Sequence, residues 1–444
     1  MRVSPPFILM ASFAILILAG SALLTLPVAA HGQRVSFIDA LFTSTSAACV
    51  TGLIVVDTGT KFTLFGQIVI LCLIQLGGLG IITFSTFFAL LMGQKMSLSQ
   101  RDMIFSSVGK IAKFDTYTIV RRIIIYAAVF ELIGASLLLV SWKERFGWGK
   151  GIYHSLFHAI SAFCNAGFST FTDNLMSFKG DVITNLVIML LIIFGGIGFL
   201  VLIDIENLIR FRKKITLHSR VVILATITLI LGGAILFFIF ENFNVMQGMS
   251  IREKILVSFF SSVTPRTAGF NTVDYGLLTN AGLFMTIILM FIGGSPGGTA
   301  GGVKTTAASV LIMMALSRLK GRTQTEIHRR TVPERVINES VSVVLIAVVL
   351  LSASCLILQI TELGYTQHWG SRWHFIDLNF EAVSAFGTVG LSTGVTPNLT
   401  WAGKIIIILL MYIGRLGPLT IAFVVSRRKD VRSFRYAEES VIVG

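Results

Sequence analysis

The chain has 444 residues, of which 54% are hydrophobic and 13% charged, and its mean hydropathy is +0.83. An ordinary soluble domain carries about 25% charge, so a soluble globular protein is excluded and an all-α polytopic membrane protein is expected. The net charge of +14 would point to nucleic acid in a soluble chain; here the basic residues lie in short loops between apolar runs, membrane orientation accounts for them, and no nucleic-acid partner is expected.

Apolar runs of spanning length, ~20 residues, recur along the chain. The first, Phe7 to Leu26, is longer than the about 7–15 apolar residues of a secretory signal and reads as a spanning helix. In chain order the pattern predicts outer helices at 6–30, 120–142, 219–241 and 336–361, and inner helices at 66–93, 182–209, 279–317 and 402–426. Residues 1–444 thus form one domain of four units, 1–93, 118–210, 218–320 and 336–427, with eight spanning helices. Of the 36 Lys and Arg, 23 fall at Arg2, in the loops 94–122, 210–220 and 318–335, and in the tail 427–435, against 11 in the alternate loops. The richer side is expected to be cytoplasmic. Both termini then lie inside a multi-pass protein of the plasma membrane, whose basic loops can meet anionic lipid.

Between each outer and inner helix lies one short pattern: FTSTSAACVTGL (42–53), FHAISAFCNAGF (157–168), FFSSVTPRTAGF (259–270) and FEAVSAFGTVGL (380–391). Each copy opens on Phe (Phe42, Phe157, Phe259, Phe380) and reaches Gly ten residues later (Gly52, Gly167, Gly269, Gly390). The stretch from Phe to just before Gly is expected to be a short helix entering the membrane from outside, its C-terminal partial negative charge aimed inward. Gly permits positive φ, so the chain can turn back with its carbonyls facing one axis. Four such re-entrant loops predict a pseudo-fourfold pore with a ring of carbonyls from Val50, Thr51, Gly52, Asn165, Ala166, Gly167, Thr267, Ala268, Gly269, Thr388, Val389 and Gly390. Rings of this kind replace the water around a cation. The hydroxyls of Thr51, Thr267 and Thr388 can add ligands, but no hydroxyl position is common to all four copies.

A second pattern marks the inner helices: LGGLG (76–80), FGGIG (194–198), IGGSPGG (292–298) and IGRLG (413–417). The third copy departs sharply. Residues Gly293, Gly294, Ser295, Pro296, Gly297, Gly298, Thr299, Ala300, Gly301 and Gly302 hold six glycines and one proline. Gly costs a helix about 1 kcal/mol relative to Ala and Pro about 3, so the third inner helix is expected to break in mid-membrane and place a loop below the ring, as a gate. Arg415 stands where the first three copies carry Gly, and a charge at membrane depth is a functional candidate. It is expected to repel cations and to bond carbonyls of the broken loop. Lys304 either works with that loop or snorkels to the cytoplasmic face. The run GGTAGGVKTT resembles a phosphate-binding loop, but Val303 interrupts the spacing and no βαβ unit surrounds it.

These four copies resemble the potassium-transporting subunits of the Trk/Ktr/HKT superfamily, and within it the bacterial Ktr membrane subunit, over essentially the whole chain. That family has one filter glycine per repeat, and Gly52, Gly167, Gly269 and Gly390 match all four positions. The resemblance implies K+ as the transported ion, bound at the filter carbonyls. Many plant relatives carry Ser in the first copy, associated with sodium preference; Gly52 argues for potassium. The family also has an intramembrane loop at 293–302 and a basic residue at the place of Arg415. It implies a homodimer and a cytosolic ring of nucleotide-binding regulatory subunits. Tetrameric potassium channels carry two glycines per loop where this chain has one, so looser discrimination against sodium is expected.

The remaining polar residues suggest no catalysis. Cys49, Cys72, Cys164 and Cys355 lie in or beside apolar runs without metal-ligand spacing and are expected to be buried thiols. The histidines are expected at membrane interfaces. Glu131, Asp204 and Glu206 are in or near apolar runs, the last two within reach of solvent or basic loops. No nucleophile–base pair or metal set is present, so neither an enzyme nor a cofactor is expected. Two modes of transport stay open: gated, channel-like K+ flux, or uptake coupled to Na+ or H+.

Overall fold

The computed structural model describes residues 5–80, 116–327, 330–364 and 374–417. The predicted helical stretches 81–93 and 418–426, most of the loop 94–122, and the tail 427–435 lie outside the described residues.

The described chain is almost wholly helical. Its first unit comprises α1 (Pro5–Leu24), α2 (Phe37–Ala48) and α3 (Leu64–Leu79). The second comprises α4 (Thr116–Phe163), α5 (Val182–Gly196) and α6 (Phe199–Phe211). The third comprises α7 (Leu217–Glu241), α8 (Ile251–Val263), α9 (Asn280–Phe291) and α10 (Thr305–Leu319). A two-residue hairpin, Glu326–Ile327 against Arg330–Thr331, leads to α11 (Glu334–Leu363), α12 (Phe375–Gly387) and α13 (Trp401–Leu416). Among the described residues three helices are long and apolar enough to cross a membrane, within Val120–Phe163, Leu217–Glu241 and Glu334–Leu363, and the bent pair α5–α6 makes a fourth if it is one span.

Each repeated segment lies on a helix, α2, the end of α4, α8 or α12, that begins well before its Phe. The capping residues set these starts: Ser36 accepts from Asp39 N–H at 3.2 Å, and Ser250 forms a reciprocal capping box with Glu253. Phe42, Phe157 and Phe380 are fully buried, whereas Phe259 is exposed and Phe260 takes the core position.

Helices end or bend inside three of the expected inner spans; for the first and fourth, the remaining stretches 81–93 and 418–426 are outside the described residues. α3, α5 and α13 stop at Leu79, Gly196 and Leu416, and Gly80, Gly198 and Gly417 follow at φ 80°, 95° and 85°. The second inner helix, expected to run unbroken over 182–209, bends by 100° between α5 and α6. The second and third inner helices are thus both broken, the third over a longer segment between α9 and α10, and the first and fourth end on a positive-φ glycine at the matching position.

Packing is inverted relative to a soluble protein. Large apolar side chains on α1, α4, α7 and α11 are exposed, among them Ile15, Leu132, Ile235 and Val349, while Ser44, Thr45, Ser46, Ser161, Ser262 and Ser384 are buried at the centre. The ring closes between the last unit and the first: Lys404 pairs with Asp39 at 2.7 Å, and the Tyr412 hydroxyl donates to the Met10 carbonyl at 2.7 Å. Three inner helices start on a Thr N-cap, Thr63, Thr279 and Thr400. The buried Glu241 receives the N–H and hydroxyl of Thr279, and Glu362 those of Thr400.

Two expectations change. Cys49, Cys164 and Cys355 are buried but Cys72 is exposed on α3. His158 lies in the core, bonded to the His154 carbonyl at 2.8 Å and the Ser169 hydroxyl at 2.9 Å, with Trp142 edge-on. Asp204 caps α7 through Thr216 and Ser219, and Glu206 pairs with Arg210 at 3.1 Å and Arg122 at 3.6 Å.

Candidate functional site

The four glycines of the repeated segments meet. A side chain added at Gly52 would strike the backbone of Ala166 and Gly167, and one at Gly167 that of Ala268 and Gly269. One at Gly269 would strike Val389 and Gly390, and one at Gly390 Thr51 and Gly52. This closed cycle, in chain order, is what a fourfold ring around one axis requires.

The backbone alternates in hand within each copy. Val50, Asn165, Thr267 and Thr388 have φ of 56°, 60°, 70° and 49°, and the glycines two residues later have φ of 96°, 68°, 79° and 92°. Alternating left-handed residues turn successive carbonyls to one side of the strand. The N–H groups go the other way, back into the helix. Thr51, Ala166 and Val389 donate to the carbonyls of Ser46, Ser161 and Ser384, and Ala268 to that of Thr264. Gly52 and Gly390 N–H donate to the Ser46 and Ser384 hydroxyls at 3.0 and 3.1 Å. The Ser161 and Thr264 hydroxyls donate to the carbonyls of Phe168 and Phe270. Among the described residues no donor bonds any of the twelve carbonyls from Val50–Gly52, Asn165–Gly167, Thr267–Gly269 and Thr388–Gly390. Buried carbonyls rarely go unbonded, and a ring of them suits a weakly hydrated cation. The Thr51 and Thr388 hydroxyls also have no partner.

Above the ring is a cavity of about 240 Å³ whose lining includes all four glycines and Asp57, Asp173 and Asp274. Three carboxylates around one mouth raise the local cation concentration.

Below the ring lies the segment 293–302. Its base is closed by Gly293 N–H to the Val303 carbonyl at 2.9 Å, Thr305 N–H to the Gly294 carbonyl at 3.0 Å and the Thr305 hydroxyl to the Gly293 carbonyl at 2.9 Å. Its tip rests on the broken second inner helix: Ser295 and Thr299 N–H donate to the carbonyls of Gly196 and Gly195 at 3.0 and 3.2 Å, and the Gly297 carbonyl accepts from Phe199 at 3.1 Å. Gly301 abuts the Thr388 hydroxyl, so the segment touches the ring. Arg415 binds the tip from the opposite side, donating to the carbonyls of Thr299, Gly77 and Gly78. Lys304 turns back onto the segment, Nζ to the Ala300 carbonyl at 2.7 Å. The Asn165 side-chain amide lies 3.2 Å from the carbonyls of Ala162, Phe163 and Ile192, which only the orientation with its nitrogen toward them would satisfy.

Three kinds of residue here escape sequence reasoning. Gly77, Gly195 and Gly414 pack on the carbonyls of Ala48, Phe163 and Phe386, the same position in three helices. Glu381 is fully buried behind the fourth segment and receives the Ser392 hydroxyl at 2.5 Å, Thr393 N–H at 3.1 Å and the Thr396 hydroxyl at 2.6 Å. Arg266, one residue before Thr267, is buried with no carboxylate partner among the described residues. Spacing could have found the first, since all three glycines lead the inner-helix pattern; the other two differ from their repeat mates and leave no pattern.

The helical ring and its sequence relatives define a cation transport protein of the membrane. Residues 2–435 match the TrkH family, described as cation transport protein, and the chain belongs to that family. Ktr system potassium uptake protein B of Bacillus subtilis (strain 168) is 40% identical over 445 residues, which span 100% of this chain and 97% of that protein. The potassium/sodium uptake protein NtpJ of Enterococcus hirae is 41% identical over 448 residues, spanning 100% and 98%. The crystal structure of the potassium transporter TrkH from Vibrio parahaemolyticus shares the fold, with a TM-score of 0.72 over 96% of this chain and 86% of that one at 17% identity. Membership makes this chain an integral membrane transporter and not an enzyme.

Proposed function

We propose that this chain takes up potassium across the plasma membrane by a gated, channel-like route. The filter is the ring of carbonyls from 50–52, 165–167, 267–269 and 388–390. The gate is the segment 293–302 with Lys304 and Arg415. The observation that carries the reading is the closed cycle of four glycines whose neighbouring carbonyls have no donor. A site of backbone oxygens without a formal charge suits a large monovalent ion, and both curated relatives are named for potassium uptake. This reading has eight spans in four units, each with a re-entrant segment, counting α1, α3, the pair α9–α10 and α13 with the longer helices, and the loop charges favour both termini in the cytoplasm. The name Ktr system potassium uptake protein B supports a multi-part assembly, here proposed as a homodimer on a cytosolic ring of nucleotide-binding regulatory subunits.

A second reading, uptake coupled to Na+ or H+, draws on the potassium/sodium name of the Enterococcus relative and on the buried carboxylate of Glu381. One experiment separates them: K+ flux into proteoliposomes holding this chain, at clamped voltage, with and without a Na+ or H+ gradient. Flux that follows voltage and ignores both gradients supports the channel-like route; flux that stops without a gradient supports coupling.

A further inference from the structure

We infer that Arg266 is a positioning residue of the gate: a second intramembrane guanidinium that holds the base of the 293–302 segment while Arg415 holds its tip. The inference rests on reading that segment as the gate.

Arg266 follows the end of α8 and directly precedes Thr267 of the carbonyl ring. Its side chain leaves the axis and enters the seam between α5, α7 and the segment. There it lines a cavity of about 10 Å³ with Gly196, Thr226, Ile230 and Gly294, room for about one water. The guanidinium Nη2 lies 3.5 Å from the Thr305 hydroxyl. That hydroxyl donates to the Gly293 carbonyl, and Thr305 N–H to the Gly294 carbonyl. One cation thus meets the residue that ties the two ends of the segment together. Arg266 Nε and the Thr226 hydroxyl find no protein partner, and both belong to residues of that one-water cavity beside Gly196 and Gly294.

A purely architectural role fits poorly. No Asp or Glu faces the guanidinium from α5, α7, α8 or α10 among the described residues, so the charge is desolvated without a counter-ion. A buried charge of this kind costs stability, and a neutral side chain in its place leaves no orphan carboxylate. What the guanidinium does supply is a charged donor at the hinge, next to the filter and opposite Arg415. The segment is then held closed at both ends, at its foot by Arg266 through Thr305 and at its tip by Arg415, Gly195 and Gly196, and opening releases both.

The test is basal K+ flux of the purified full chain in proteoliposomes without any regulatory subunit, with the K+/Na+ flux ratio recorded alongside. Arg266→Gln and Thr305→Val are each expected to raise basal flux about tenfold, the weight of a lost charge-assisted hydrogen bond, with the flux ratio unchanged. The double variant is expected not to exceed Thr305→Val, because the contact that Arg266→Gln removes is already absent there. Arg266→Lys, which keeps the charge, is expected to fall between. Deleting 295–300 serves as the reference for the gate itself. If that deletion raises flux and Arg266→Gln and Thr305→Val do not, the gate stands and the role of Arg266 is overturned. If the deletion lowers flux, the reading of the segment as a gate fails first. A changed K+/Na+ ratio in Arg266→Gln would make Arg266 a filter scaffold instead. Should Arg266→Gln not reach the membrane, Thr305→Val with Arg266→Lys still decides.

Discussion

The two ends of the axis are built on opposite principles. In the ring, every segment is held from behind by its own helix, through N–H groups returned to Ser46, Ser161, Thr264 and Ser384, and from the side by the next glycine. No single contact decides its shape. In the segment 293–302 the order is reversed. Its tip is held by groups from other units, Gly195, Gly196 and Arg415. Redundant local bonds suit discrimination between ions of similar size. Sparse, non-local bonds suit a two-state element.

The largest change should come from the ring. Gly390 has φ of 92° and abuts the backbone of Thr51 and Gly52. Gly390→Ser should cost about 1–2 kcal/mol in backbone strain and about 1–3 more in overpacking, and should abolish most K+/Na+ discrimination in paired flux assays. Gly269→Ser should do the same; an unaltered ratio in either would break the contrast. Next, deletion of 295–300 should raise partner-free flux with discrimination retained, measured in the same liposomes. Arg415→Ala removes the donor to the Thr299, Gly77 and Gly78 carbonyls. It should raise basal flux by roughly 10- to 100-fold, as expected for charged hydrogen bonds. Glu381→Gln keeps the acceptor for Thr393 N–H and lets the Thr396 hydroxyl accept instead of donate; about 1 kcal/mol and a fewfold drop in the K+/Na+ ratio are expected. Smallest is Lys404→Met. It removes the pair with Asp39, whose side chains are 14% and 21% exposed, and should lower thermal stability in detergent by about 1 kcal/mol without altering the flux ratio.

The contrast also explains what was legible in the sequence. The Phe-to-Gly spacing located all four segments because the ring demands one geometry four times. The helix starts were misplaced because capping at Ser36 and Ser250 lies outside the repeated pattern. The bend at Gly198 and the helix ends at Gly80 and Gly417 leave little trace in the sequence because one glycine costs a helix only about 1 kcal/mol, too little to separate a tolerated residue from a stop. The third break stood out by its six glycines and proline. The capping residue shared by three inner helices, Thr63, Thr279 and Thr400, was hidden by its ordinary composition. Glu381 and Arg266 sit inside the repeated pattern at variable positions, where similarity carries no signal and only packing reveals a role.

Closure of the ring through Lys404, Asp39, Tyr412 and Met10 has a consequence for synthesis. The first and last quarters of the ring are made at opposite ends of one translation event. Until about residue 412 has left the ribosome, the early helices have no final neighbour and the carbonyl ring has a missing side. A half-made chain in the membrane therefore has an incomplete ring. Four separate identical subunits would face a different problem, since their ring must be assembled by encounter and depends on concentration. Here the stoichiometry is written into the reading frame, and each quarter is free to differ from the others.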